Sequence, residues 1–262
     1  MDKIKVNFWE GEKHESFLTL SVKIDEQEED ITEIIRLQKK ICDEIKKHIS
    51  ILSDPYNPGE KGGLFKYPKE SLHFSLINFL RCSLSFEEFD ELTKKDSNFC
   101  DVQEQIEQII HENLPHQTET EIFSIYDGDR DDREKKVDTF SLQIFPEQKF
   151  IEELVKIEGK IKQRGREFKF PYYCREDIVM KFHIKNNRRY FVINTLRFIR
   201  PDKPKLEEIK EDVINCVNEK IHKLNEELVT YPISFKIQKI ILTKSDPFLY
   251  TNKWLRLRDF TI

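Results

Sequence analysis

Residues 71–80 run Ser-Leu-His-Phe-Ser-Leu-Ile-Asn-Phe-Leu. The apolar residues around His73 and Ser75 predict a strand. Side chains alternate along a strand, so His73 and Ser75 share one face. An imidazole can move a proton, and a hydroxyl two residues away can donate to a non-bridging oxygen of the same phosphate. Phosphate-ester chemistry is what such a pair would serve. The alternative for the same residues is a half-buried histidine bonded to a backbone carbonyl.

A second set of polar residues follows from a predicted hairpin. Residues 178–184 and 189–199 both read as strands, separated by Asn186-Asn187. A two-residue turn there sets His183 opposite Tyr190 and Lys181 opposite Val192. A four-residue loop pairs His183 with Val192 instead. Opposite residues lie on one sheet face, so His183, Lys181, Tyr190, Val192 and Asn194 fall together. His183 is either a group of the site or a sheet-face histidine making an ordinary hydrogen bond.

The elements that must position these residues repeat. Residues 17–25 alternate as a strand. Asp30 and Glu33 form a capping-box pattern ahead of a helix through Ile34, Ile41 and Ile45 that should end near Leu52. Ser85 and Glu88 form a second such pattern, opening a helix over 86–94, with another helix near 101–113 and a strand at 119–127. The pattern then restarts with a strand at 138–145 and a helix at 147–163. The hairpin, a helix at 205–228 and a strand at 233–242 complete it. Phe17 to His73 spans 56 residues and Phe140 to Val192 spans 52. The expectation is one compact unit over 1–262, with lobe one at about 15–128, lobe two at about 135–250 and a short C-terminal tail. A cleft between duplicated lobes is a natural ligand site.

The sequence here resembles the 2H phosphoesterase superfamily, which includes bacterial 2′-5′ RNA ligases and cyclic nucleotide phosphodiesterases. Members have two pseudo-symmetric α+β lobes, each supplying a His-x-Ser/Thr motif from a central strand. Residues 71–80 resemble the first motif, and residues 233–249 resemble the strand closing the second lobe. The resemblance implies a bilobal α+β fold with antiparallel-rich sheets, helices on the outer faces and a central cleft. The second motif departs from the family. It lands on Val192-Ile193-Asn194-Thr195-Leu196-Arg197, with Val192 in the histidine place, Asn194 in the Ser/Thr place and Arg197 as the trailing arginine. A valine cannot transfer a proton.

The resemblance implies metal-free, cofactor-free acid–base chemistry on a 2′,3′-cyclic phosphate or 2′-5′ phosphodiester of an RNA end or nucleotide. His73, Ser75 and His183 would be catalytic; Asn194, Lys181, Tyr190 and Arg197 would bind substrate. Arg197 lies an odd number of residues from Asn194, so a bulge is needed to bring it to the same face. The alternative is a nucleotide- or RNA-binding module that keeps the cleft but lacks the second histidine. Tyr172, Tyr173 and Tyr190 would then stack bases.

Composition narrows the classes further. The chain has 262 residues, 20 Phe and a net charge of −5. Its large apolar side chains can build a core, which argues against a disordered chain. No apolar run approaches the roughly 20 residues that span a bilayer. The charge is uneven: residues 160–205 hold 14 Lys and Arg against four acids. That segment would attract a phosphate-bearing ligand, or is simply a solvated basic face. The acidic loop at Asp127, Asp129 and Asp131 resembles half of a calcium loop, but Asp132 stands where glycine is needed and Asp138 where glutamate closes the site. Five widely spaced cysteines predict reduced thiols in a cytoplasmic protein.

Overall fold

The computed structural model describes residues 16–27, 31–47, 63–126, 139–165, 174–185, 188–199, 211–245 and 254–262. The alternation in the first strand, β1 (Ser16–Lys23), sends Leu18, Leu20 and Val22 into the core. Helix α1 (Thr32–Lys46) buries Ile34, Leu37, Ile41 and Ile45 at helical spacing. Its N-cap is Ile31, with no side-chain cap, and Asp30 lies outside the described residues. The second capping box forms as the sequence predicts. Glu88 N–H donates to Ser85 Oγ at 3.3 Å and Ser85 N–H donates to Glu88 Oε2 at 2.9 Å, opening α2 (Phe86–Lys95).

The remaining helices are α3 (Ser97–Glu112), α4 (Gln148–Gly165) and α5 (Glu211–Thr230). The other strands are β2 (Gly63–Lys66), β3 (His73–Cys82), β4 (Thr118–Tyr126), β5 (Thr139–Pro146), β6 (Cys174–Met180), β7 (His183–Lys185), β8 (Arg188–Ile199), β9 (Ile233–Ile237), β10 (Lys239–Ser245) and β11 (Trp254–Thr261). The fold is α+β, and every pairing among the described strands is antiparallel.

Two sheets form. Sheet one runs β11-β10-β1-β3-β6, and sheet two runs β2-β8-β5-β4-β9 with β7 also paired to β8. The two orders correspond strand for strand: β1 with β5, β3 with β8, and β10 with β4. Each sheet therefore draws on both halves of the chain. Helices α3 and α4 accompany sheet one, while α1 and α5 lie against strands of sheet two. The sheets meet where Phe74 of β3 and Phe191 of β8 pack with ring centroids 5.6 Å apart. Both rings are buried.

At two of the crossings between sheets, the chain changes partner inside what reads as one strand. The expected strand over 178–184 breaks after Met180: Lys181 N–H donates to Leu76 O at 2.9 Å, and His183 then pairs on β8. The expected strand over 233–242 breaks at Gln238, between β9 in sheet two and β10 in sheet one. Buried Gln27 closes the second break. Its Oε1 accepts from Gln238 N–H at 2.9 Å and Lys239 N–H at 3.2 Å, and its Nε2 donates to Lys239 O at 3.2 Å. The expected C-terminal tail is an edge strand, β11, on sheet one.

Gln38 ties α1 to sheet two. It is buried, and its Nε2 donates to Tyr67 O and Thr195 O, each at 2.8 Å. Replacing Gln38 by Ala strips a donor from two carbonyls and is expected to destabilise the fold by about 2 kcal/mol. Urea unfolding of the variant beside the wild type measures it. The thiol expectation is corrected at one position: Cys82 is disulfide-bonded, and its register partner on β6 is Cys174. Cys42 and Cys100 are free. The calcium-like loop, the Asn186-Asn187 turn, Tyr172 and Tyr173 lie outside the described residues.

Candidate functional site

Strand β3 alternates as its sequence requires. Phe74 and Leu76 are buried, while His73 and Ser75 form a half-exposed row on the other face. The row is fixed by pairing with β1, in which Lys23 stands opposite His73 and Ser21 opposite Ser75. His73 Nδ1 lies 2.7 Å from Ser71 O. A carbonyl only accepts, so Nδ1 carries a proton, and Nε2 is the ring nitrogen that could take one up or give one away.

Sheet two repeats this arrangement with other residues. On β8, Phe191, Ile193 and Thr195 are buried, and Val192 and Asn194 are half-exposed. The β5 register sets Gln143 opposite Val192 and Ser141 opposite Asn194. The quartet His73, Ser75, Ser21 and Lys23 thus corresponds to Val192, Asn194, Ser141 and Gln143. Ser141 Oγ donates to Asn194 Oδ1 at 2.7 Å, which leaves the amide NH2 as that residue's donor group.

The bulge that Arg197 requires is present. Ser141 pairs Asn194 but Phe140 pairs Leu196, so β8 carries an extra residue at Thr195. Arg197 then pairs Thr139, two residues from Ser141, and its register position is on the Asn194 face. Buried Thr195 is fastened there by its hydroxyl, which donates to Phe140 O at 2.8 Å.

His183 pairs with Tyr190, as the two-residue turn predicts, and their rings stack at 5.3 Å. His183 is exposed. Tyr190 is buried and also stacks with Phe145 at 5.4 Å, so its ring is engaged within the protein. Lys181 does not pair with Val192; it stands at the crossing from β6 to β7, bonded through its backbone to β3.

His73 lines a small niche of about 10 Å³ together with Ser21, Lys23, Glu70, Ser71 and Trp254. Ile241 and Thr243 of β10 complete it. Asn194, His183 and Lys181 do not line it. Ser21, Lys23 and Trp254 are polar or aromatic neighbours of His73 that pattern analysis missed. The alternation of residues 17–25 does place Ser21 and Lys23 on one face, but only the β1–β3 register reveals which face. A larger, open depression of about 750 Å³ lies near Leu84, Glu88, Leu92 and Lys95, with no histidine among the described residues that line it. Among the described residues, no group of three His, Cys, Asp or Glu side chains is arranged to hold an ion. No described helix is long and apolar enough to cross a membrane.

No family model matches the chain, and no curated protein matches it. Solved structures similar to it include a conserved protein of unknown function from Agrobacterium tumefaciens, at 8% identity and a TM-score of 0.47, covering 94% of this chain and 88% of that one. E. coli LigT is similar at 10% identity and a TM-score of 0.41, covering 95% and 98%. Usb1 from Kluyveromyces marxianus, solved with uridine monophosphate, is similar at 12% identity and a TM-score of 0.41, covering 94% and 99%.

Proposed function

We propose that the chain is a 2H-type phosphoesterase that opens a 2′,3′-cyclic phosphate or cleaves a 2′-5′ phosphodiester at an RNA end or on a nucleotide. The observation that carries this reading is the half-exposed His73–Ser75 row, with the His73 tautomer set by Ser71 O. In hydrolysis, water attacks phosphorus while His73 Nε2 takes the water's proton. One P–O bond forms and the bond to the leaving ribose oxygen breaks. The leaving oxygen takes a proton from His183, which pairs with Tyr190 one step along the face from Val192, or from solvent. Ser75 Oγ and the Asn194 amide donate to the non-bridging oxygens, and Arg197 adds charge. The protein would act in the cytoplasm.

Incubation with a 2′,3′-cyclic nucleotide and separation of the products tests this reading; release of a single monophosphate isomer is expected. Val192 favours a second reading, a binding module without turnover. Binding without product would select that reading. Restoring the missing group gives a sharper check. Because Val192 corresponds to His73, Val192→His is expected to raise turnover by about 10-fold or more, read as kcat on the same substrate. Unchanged kcat in a folded variant would contradict the correspondence.

A further inference from the structure

The niche beside His73 holds two side chains that the phosphoesterase chemistry above leaves unused. Ser21 and Lys23 lie directly across β1 from Ser75 and His73. Opposite residues of an antiparallel pair have Cβ atoms about 4.5–5.5 Å apart, so the four side chains form a patch about one phosphate wide.

Ser21 is 2% exposed, and its Oγ is buried without a hydrogen-bond partner among the described residues. An unsatisfied buried hydroxyl weakens the free protein and gains a partner when a ligand oxygen arrives. Lys23 is also largely buried. Its Nζ lies 3.5 Å from Asp25 Oδ1, 3.3 Å from Glu26 Oε1 and 4.3 Å from the centroid of the Trp254 ring. An ammonium carries three donors, and the indole shields this one from bulk water. Counting Lys23, the groups around it are three bases and four acids. Glu26 also meets Arg256, whose Nε lies 3.1 Å from Asp259, and Lys239 lies 3.9 Å from Asp259. Lys23, Arg256 and Lys239 thus face Asp25, Glu26 and Asp259, with Glu70 at the niche as a further acid.

The corresponding quartet in sheet two has no cation, and its serine is engaged. Gln143 stands in the place of Lys23, and Ser141, in the place of Ser21, is already bonded to Asn194.

The geometry points to Ser21 and Lys23 as the second half of a phosphate cradle whose first half is His73 and Ser75. The niche has room for about one oxygen atom, so it takes a single non-bridging oxygen while the rest of the group lies over its mouth. Lys23 supplies the fixed positive charge and Ser21 a hydroxyl donor. This deepens, and rests on, the phosphate-ester reading.

Calorimetric titration with inorganic phosphate and with a 2′,3′-cyclic nucleotide tests the cradle in wild type, Ser21→Ala, Lys23→Met and Lys23→Arg, beside thermal melts and the hydrolysis assay. Ser21→Ala is expected to weaken both ligands about 5- to 10-fold without lowering the melting temperature, which a structural hydroxyl would not do. Lys23→Met is expected to weaken them by about 10- to 100-fold, with most of the loss recovered in Lys23→Arg. Wild-type affinity in Ser21→Ala and in Lys23→Met would overturn the cradle, and continued hydrolysis would then leave the phosphoesterase reading standing. Binding that depends on Ser21 and Lys23 without any hydrolysis would uphold the cradle and overturn the enzyme. Failure of the wild type to bind either ligand would overturn both.

Discussion

Replacing His73 by Ala is expected to lower turnover of a 2′,3′-cyclic nucleotide by about 10²- to 10⁴-fold while the fold stays intact. The magnitude follows from the role. General acid–base transfer by a positioned side chain supplies that range, and no second histidine occupies the corresponding place, where Val192 stands on β8. The fold should tolerate the change because His73 is half-exposed and its ring bonds locally, to Ser71 O. Its neighbours Leu72 and Phe74 keep the buried row of the strand. Circular dichroism and a thermal melt should match the wild type, and kcat should carry the loss. A variant with wild-type kcat would remove His73 from the chemistry.

The second large effect concerns stability. Lys244 of β10 is buried, and its Nζ donates to Asp90 Oδ1 and to Thr93 Oγ1, each at 2.6 Å. The contact fastens α2 to sheet one. Asp90→Ala leaves the ammonium buried beside Thr93 alone and is expected to cost about 3 kcal/mol, measured by urea unfolding. The pair also gives a pH dependence. Burial works to raise the Asp90 carboxyl, but the bonds from Lys244 and Lys94 outweigh it and hold the group below the usual range. A carboxyl depressed on folding adds stability above its unfolded pKa, about 3.9, and that stability is lost as pH falls through the folded value. The wild type should therefore lose stability between pH 5 and pH 2 more steeply than Asp90→Ala (rough bounds set by the reference carboxyl). A variant within about 0.5 kcal/mol of wild type would contradict the assignment.

The residues that show themselves in sequence are those governed by local rules. The His73–Ser75 face follows from strand alternation, and the Ser85–Glu88 cap from its spacing. The His183–Tyr190 pair follows from a two-residue turn. Long-range pairing is not local, and there the sequence reading stops. Residues 233–242 read as one strand, although the apolar phase slips at Gln238-Lys239, from Phe235 and Ile237 to Ile240 and Leu242, where the chain changes sheet. The bond that makes the switch comes from Gln27, more than two hundred residues away. The odd spacing of Asn194 and Arg197 shows that a bulge is needed, but its place at Thr195 depends on which residue of β5 lies opposite. Lys23 looks like an ordinary polar residue at the end of a strand until β3 is set beside it.

The two sheets share a plan but not a chemistry. Sheet one holds the imidazole, two hydroxyls and a buried cation, whereas the corresponding residues of sheet two are a valine, two amides and a hydroxyl. The basic segment at 160–205 pointed to lobe two as the source of positive charge, yet the cation opposite His73 is Lys23 of β1. A phosphate ester would then be held and activated mainly from sheet one, with Asn194 and Arg197 contributing from β8.

A crystal structure of the protein with inorganic vanadate, a mimic of the pentacoordinate phosphorus, tests this most directly. The expected result is vanadate at His73, with an oxygen within hydrogen-bond distance of His73 Nε2 and another of Ser75 Oγ. Vanadate bound on the basic segment alone, away from His73 and Ser75, would contradict it.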